Sequence, residues 1–186
     1  MEKRENIVFI ATSIDGYIAD KEGGISYLEM VPNPEQNDMG YGKLMERVDA
    51  LVMGRNTYEK VLSFGIGWPY TKPVYILSNT LESVPQEFQY KVELVKGSLE
   101  EVLEQMHAKG HHKLYIDGGK VIQQFLSEDL IDEMILTTIP ILLGGGVPLF
   151  AHLPKELPFE LKESKVFLGE VTRRTYIRKR ELKNDS

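Results

Sequence analysis

The feature that most limits what this chain can fold into is its rhythm. Short apolar runs alternate with helical stretches as far as residue 140, and beyond that only strands follow. Residues 7–14 are mostly apolar and rich in β-branched side chains, and Asp15-Gly16 closes them. A run that is apolar at consecutive positions suits a strand covered on both faces. Residues 50–53, 74–77, 92–95, 113–116 and 131–139 read the same way. Between them 56–62 reads as a helix, 37–48 has weak helical character, and 120–126 reads as a helix after Asp117-Gly118-Gly119. A capping box, Ser98 with Glu101, opens a further helix that Gly110 stops. Residues 159–167 and 171–179, joined by Leu168-Gly169-Glu170, read as a terminal hairpin. The order predicts an α/β fold: a mainly parallel central sheet of about eight strands, helices on both faces, and an antiparallel C-terminal end.

No stretch rich in Pro, Gly or Ser divides the chain, so residues 1–186 are expected to form a single domain. With 42% hydrophobic residues the chain can bury a sizeable core. A formal net charge of -6 argues against nucleic acid or an anionic membrane as partner, because both demand a basic face. The absence of cysteine excludes disulfides, thiolate zinc sites and thiol nucleophiles. The charged segment 1–6 precedes only a short apolar run, which reads as a strand rather than a signal or a span, so a cytoplasmic location is expected.

Two strand-to-helix turns carry the chemistry: Met53-Gly54-Arg55-Asn56-Thr57 and Ile116-Asp117-Gly118-Gly119-Lys120. The first turn of a helix has unpaired N–H groups and the positive end of the dipole, so it favours anions. Each turn adds a cation, and Ser78-Asn79 sits at a third strand end. In open α/β sheets the ligand crevice lies at the carboxyl ends of the strands. One such glycine turn could serve only to reverse the chain; two basic ones point to a phosphorylated ligand. Neither G-x-G-x-x-G nor a Walker pattern is present, so a dinucleotide would be held by another geometry.

These segments resemble a known family. Val52-Met53-Gly54-Arg55-Asn56-Thr57-Tyr58, Ile76-Leu77-Ser78-Asn79, Ile116-Asp117-Gly118-Gly119-Lys120 and Leu136-Thr137-Thr138-Ile139 are similar to segments of the dihydrofolate reductases. Ser13-Ile14-Asp15-Gly16-Tyr17-Ile18-Ala19 and the stretch 140–150, PILLGGGVPLF, resemble the reductase domain of riboflavin biosynthesis, the RibD C-terminal type. The resemblance implies a three-layer dihydrofolate-reductase-like fold, a homodimer, and an NADPH-dependent reductase similar to 5-amino-6-(5-phosphoribosylamino)uracil reductase. It places Gly54, Arg55 and Thr57 on the NADPH phosphates, with Arg55 near the 2′-phosphate, and Ser78 and Asn79 on the adenosine side. Gly118, Gly119, Lys120, Val121 and Ile122 would carry the pyrophosphate and the nicotinamide end, with Ala11 and Ile18 flanking the nicotinamide. A guanidinium fork suits a phosphate, which favours NADPH over NADH.

The substrate side departs from the folate pattern. Asp38 stands at the spacing of the folate carboxylate, fifteen residues before Met53. As a catalytic group it should lie in an apolar cleft that raises its pKa; as an N-cap it would merely start a helix at Met39. Tyr27 and Glu35 are rivals in the same loop. Gly42 replaces a substrate-packing aromatic, Lys72 an arginine, and Ile122 a tyrosine. A smaller pyrimidinone, pterin or ribosyl-type substrate therefore fits better than dihydrofolate. A true folate reductase and a non-catalytic NADP- or flavin-binding protein are the alternatives. Trp68 could cap a substrate ring or pack on the domain edge. His107, His111 and His112 lack a metal-binding pattern and read as surface residues at a helix end. Gly144-Gly145-Gly146 reads as an irregular turn. The arginines at 173, 174, 178 and 180 read as a solvated edge strand or as a grip on a substrate phosphate.

Overall fold

A computed structural model describes residues 3–180. Ten strands and four α-helices appear in the order β1 (Glu5–Ser13), β2 (Tyr17–Ala19), α1 (Tyr41–Arg47), β3 (Ala50–Gly54), α2 (Arg55–Ser63), β4 (Val74–Leu77), β5 (Val92–Val95), α3 (Leu99–Ala108), β6 (Lys113–Asp117), α4 (Gly119–Ser127), β7 (Glu133–Ile139), β8 (Val147–Pro148), β9 (Phe159–Phe167) and β10 (Val171–Arg178). Eight strands form one sheet in the order β5-β4-β3-β6-β1-β7-β10-β9, and β2 pairs with β8 apart from it. The pairs from β5 to β7 are parallel; β10 is antiparallel to β7 and β9.

Burial explains the continuous apolar runs. Successive side chains leave a strand on opposite faces. Val8, Val52 and Ile116 point to the face covered by Val102 and Met106 of α3 and Ile122 and Phe125 of α4. Their neighbours Ile7, Leu51 and Tyr115 point to the face covered by Leu44 of α1 and Tyr58 of α2. Both faces are dry, so polar alternation has no place in β1, β3 or β6. Each such side chain taken from water contributes roughly 1.5–3 kcal/mol. The capping box of α3 is present, with Ser98 Oγ accepting the Glu101 N–H at 3.2 Å and Glu101 accepting the Ser98 N–H at 2.8 Å.

Several boundaries and surfaces differ from expectation. The helix expected over 37–48 spans only Tyr41–Arg47, because Met39 and Gly40 have φ of 52° and 92° and cannot extend it. β2 and β8 were not expected. β10 is not an edge strand: it is paired on both sides, and β9 is the outer strand. Its arginines are not simply solvated. The guanidinium of Arg178 is buried against Asp129, bonding it at 2.7 and 2.9 Å. His107, His111 and His112 are half-buried rather than on the surface, with the His107 and His112 rings stacked at 5.7 Å. Among the described residues no helix is long and apolar enough to cross a membrane, and no cluster of His, Cys, Asp or Glu could hold a metal.

Candidate functional site

The two glycine turns meet. β3 and β6 are neighbours, with Met53 in register with Asp117, so both chains leave the sheet side by side at its carboxyl edge. Gly118 has φ of 89°, and a Cβ there would overlap Thr57 Oγ1. A Cβ on Gly54 would lie 3.1 Å from Val121 Cγ2. Each turn is thus the packing partner of the other, and glycine is what lets them close. Neither Gly54 nor Gly118 caps its helix through a side chain, so the first amides of α2 and α4 stay available. Among these are the amides of Gly119, Lys120 and Val121. Ile122 does not belong with them: its N–H is bonded to the Gly118 carbonyl at 2.9 Å and its side chain is fully buried, so it packs beneath the turn. Lys120 is exposed.

Arg55 is exposed at the start of α2. Its Nε donates to Glu59 at 2.6 Å and its Nη1 to Thr80 Oγ1 at 3.3 Å. Ser78 is buried, and its Oγ accepts the N–H groups of Thr80 and Leu81 at 3.3 and 3.0 Å. Ser78 and the exposed Asn79 border a 270 Å³ cavity together with Ser98 and Gln124. The residues expected to hold the adenosine end therefore lie around one hollow, with Arg55 tied to its rim through Thr80.

On the other side, Ile18 Cδ1 sits 2.8 Å from where a Gly119 Cβ would be. Ala11, half-buried on β1, is in register with Thr137 of β7. Asp15 fixes this end of the site. Its carboxylate accepts the Ser13 hydroxyl at 2.6 Å and the N–H groups of Leu143 and Gly144 at 3.1 and 2.8 Å, which hold it below the usual carboxylate range. Gly146 lies against the Ala19 carbonyl with no room for a side chain. The turn 144–146 is thus close-packed against β2 at Gly146 and open at Gly144.

Asp38 does not lie in the apolar cleft expected for it. Asp38 is exposed, and its two oxygens accept the N–H groups of Gly40 and Gly42 at 2.8 and 2.9 Å. Those bonds lower its pKa, the opposite of the expected rise. Among its rivals, Glu35 is exposed, whereas Tyr27 is buried with its hydroxyl 3.2 Å from the Ala11 carbonyl. The perturbed carboxyl is Asp117, the last residue of β6. Burial pushes it up to about 6, against the pull of the Gly118 N–H, 2.8 Å away, and the Tyr115 hydroxyl. It keeps some surface accessibility, and its charge adds to burial in raising the phenols of Tyr41 and Tyr70. Sequence reasoning passed over Asp117 as part of a turn. The readable signal was a carboxylate ending an otherwise apolar central strand.

Two more expectations resolve here. Trp68 is half-buried among Tyr58, Tyr70 and Phe88, with centroids 5.9, 5.3 and 5.4 Å away, and so packs within the domain. Arg173 is largely buried. Its guanidinium stacks 5.0 Å over Phe167, donates to the Met39 carbonyl, and pairs with Glu163 at 3.2 Å. It ties down the Asp38 loop and is not a free phosphate grip.

The chain matches the model of the RibD C-terminal domain over residues 5–172. It is 59% identical to a Shewanella sp. PV-4 protein assigned to riboflavin biosynthesis, with 95% of this chain and 99% of that one covered at a TM-score of 0.93. A diaminohydroxyphosphoribosylaminopyrimidine deaminase/5-amino-6-(5-phosphoribosylamino)uracil reductase from Thermotoga maritima superposes over 95% of this chain and 57% of its own length, with a TM-score of 0.70 and 16% identity. Dihydrofolate reductase from Enterococcus faecalis, complexed with NADP(H), covers 94% and 96% of the two chains with a TM-score of 0.66 and 20% identity. The architecture is dihydrofolate-reductase-like.

Proposed function

The chain belongs to the RibD C-terminal domain family, and from that membership we propose that it is an oxidoreductase that uses NADPH to deliver hydride to a C=N or C=O carbon of a small pyrimidinone, pterin or ribosyl-type substrate. The observation that carries the reading is the convergence of the two turns, with Gly118 closed over Thr57 and both helix starts uncapped by side chains. That geometry suits one phosphorylated ligand laid across both turns. A Cβ at Gly118 would collide with Thr57, so glycine keeps the two helix starts close, and their uncapped amides with Lys120 suit a pyrophosphate.

The roles follow from position. Gly54 and Thr57 with the α2 amides, and Gly118, Gly119, Lys120 and Val121 with the α4 amides, hold the phosphates. Ser78 and Asn79 bound the adenosine side. Arg55 faces the 2′-phosphate, held ready by Glu59 one helical turn on. Ala11 and Ile18 flank the nicotinamide, which when bound supplies the hydride. Ile18 lies close against Gly119 on that side. A homodimer and a cytoplasmic location complete the proposal; Leu161 and Val166, exposed on the outer strand β9, support the first.

The test is Arg55→Ala. NADPH should bind about 30-fold more weakly, the worth of a charge-assisted contact, while NADH binding changes little. Equal loss for both cofactors would show that Arg55 does not read the 2′-phosphate. Isothermal titration with each cofactor gives the answer.

A further inference from the structure

We infer that Gln123 is a positioning residue for the nicotinamide end of the cofactor. Through the carbonyls of Pro148 and Leu149 it pins the small β2–β8 ribbon to the first turns of α4, and so holds Ile18 and Val147 over Gly119. The inference rests on the reductase reading and adds to it a residue outside the two glycine turns.

The ribbon cannot hold itself. Its strands have three and two residues, and its register consists of Tyr17 with Pro148 and Ala19 with Val147. A two-stranded ribbon is marginal in water even at greater length, and Pro148 has no N–H to give to a ladder. What closes it comes from outside the ladder. Leu149 is fully buried in the core that α3 and α4 cover. Its N–H donates to the carbonyl of Gly16, in the turn between β1 and β2, at 2.9 Å. The tie to α4 is Gln123, whose Nε2 donates to the Pro148 carbonyl at 2.9 Å and to the Leu149 carbonyl at 3.3 Å. Both partners are acceptors only, so the carboxamide turns its nitrogen, with two N–H donors, toward them.

Gln123 lies one helical turn after Gly119, on the same face of α4. A Cβ on Gly119 would lie 2.8 Å from Ile18 Cδ1, 3.5 Å from the Pro148 carbonyl oxygen and 3.8 Å from Val147 Cγ1. The ribbon therefore follows this face of the helix, packed closely at Gly119 and hydrogen-bonded at Gln123. Ile18 is the middle residue of β2. Its place against Gly119 depends on β8, and the seat of β8 on α4 depends on Gln123. Without the two donors the carbonyls lose their partner and the ribbon can part from the helix. A cofactor that needs the closed ribbon then binds in proportion to the closed fraction. The adenosine end is spared, because Ser78 and Asn79 border a cavity that no ribbon residue lines.

The test separates the two ends of the cofactor. The full chain is titrated calorimetrically with NADPH and with adenosine 2′,5′-bisphosphate, which has the adenosine end and no nicotinamide. Gln123→Met keeps the length of the side chain without its donors, and Gln123→Glu presents an acceptor to the two carbonyls. Gln123→Met should weaken NADPH about 10-fold, the effect of one to two hydrogen bonds, and Gln123→Glu at least as much. The bisphosphate should hold within about two-fold in both, which also shows that each variant is folded. Amide exchange gives an independent reading: the Leu149 N–H should exchange about 10-fold faster in Gln123→Met, with the Phe125 N–H inside α4 unaltered. Overturning results are NADPH binding indifferent to both variants, an equal loss of NADPH and bisphosphate, or an unchanged Leu149 exchange rate. If wild type does not bind NADPH, the reductase reading falls and this inference with it. If wild type binds both ligands and the variants match it, this inference alone falls.

Discussion

Asp117 and Asp38 show how burial and hydrogen bonding give one residue type opposite chemistry. Asp38 accepts two backbone N–H groups in an exposed loop and is held ionised; burial at the end of β6 makes Asp117 resist ionisation. This has a consequence for stability. With a folded-state pKa near 6 against an ordinary 3.8, Asp117 binds its proton more tightly in the folded chain. The stability this contributes is complete below the unfolded pKa and is lost as pH rises through the folded one, between about 4 and 6. Asp117→Asn removes the ionisation. Against wild type the variant should be equally stable at pH 4 and more stable at pH 7, by up to about 3 kcal/mol. Urea unfolding at the two pH values measures this, and a difference that does not change with pH would contradict the assignment. The sequence singled out Asp38 and passed over Asp117, because the difference depends on burial that only the folded sheet creates.

At the scale of elements, the helix starts at Arg55 and Gly119 were readable because a glycine after an apolar run marks a strand end whatever the fold. That they wedge against each other was not readable, since it follows from β3 and β6 being sheet neighbours although nearly sixty residues separate them. Gly118→Ala tests the wedge. The added methyl meets Thr57 and the backbone is left-handed, so unfolding should become easier by about 2–4 kcal/mol and NADPH binding should be lost. Gly144→Ala, at φ of 67° with nothing near its Cβ, should cost only about 1 kcal/mol and spare the cofactor. Comparable losses in the two variants, by denaturation and cofactor titration, would speak against the wedge. The β2–β8 pair escaped the sequence for a different reason. Strands of three and two residues carry no periodicity, and Asp15, Gly146 and the Leu149 N–H to the Gly16 carbonyl hold them instead.

For the molecule as a whole, the α/β order of elements was plain in the chain, whereas the position of β10 inside the sheet was not. Arg173, Arg174, Arg178 and Arg180 suggested a solvated edge, but the side chains of Arg173 and Arg178 are largely buried in ion pairs with Glu163 and Asp129, and β9 pairs along the strand. The sheet then places Arg55, Ser78 and Gly118 along one carboxyl edge and Asp117 beside them, so cofactor and substrate are expected to share that edge. A crystal structure of the NADPH complex examines this arrangement without intermediaries. The pyrophosphate should lie across the amides of 55–57 and 119–121, with the 2′-phosphate beside Arg55 and the nicotinamide between Ala11 and Ile18. Cofactor density that touches only one of the two turns, or lodges elsewhere on the sheet, would contradict the account.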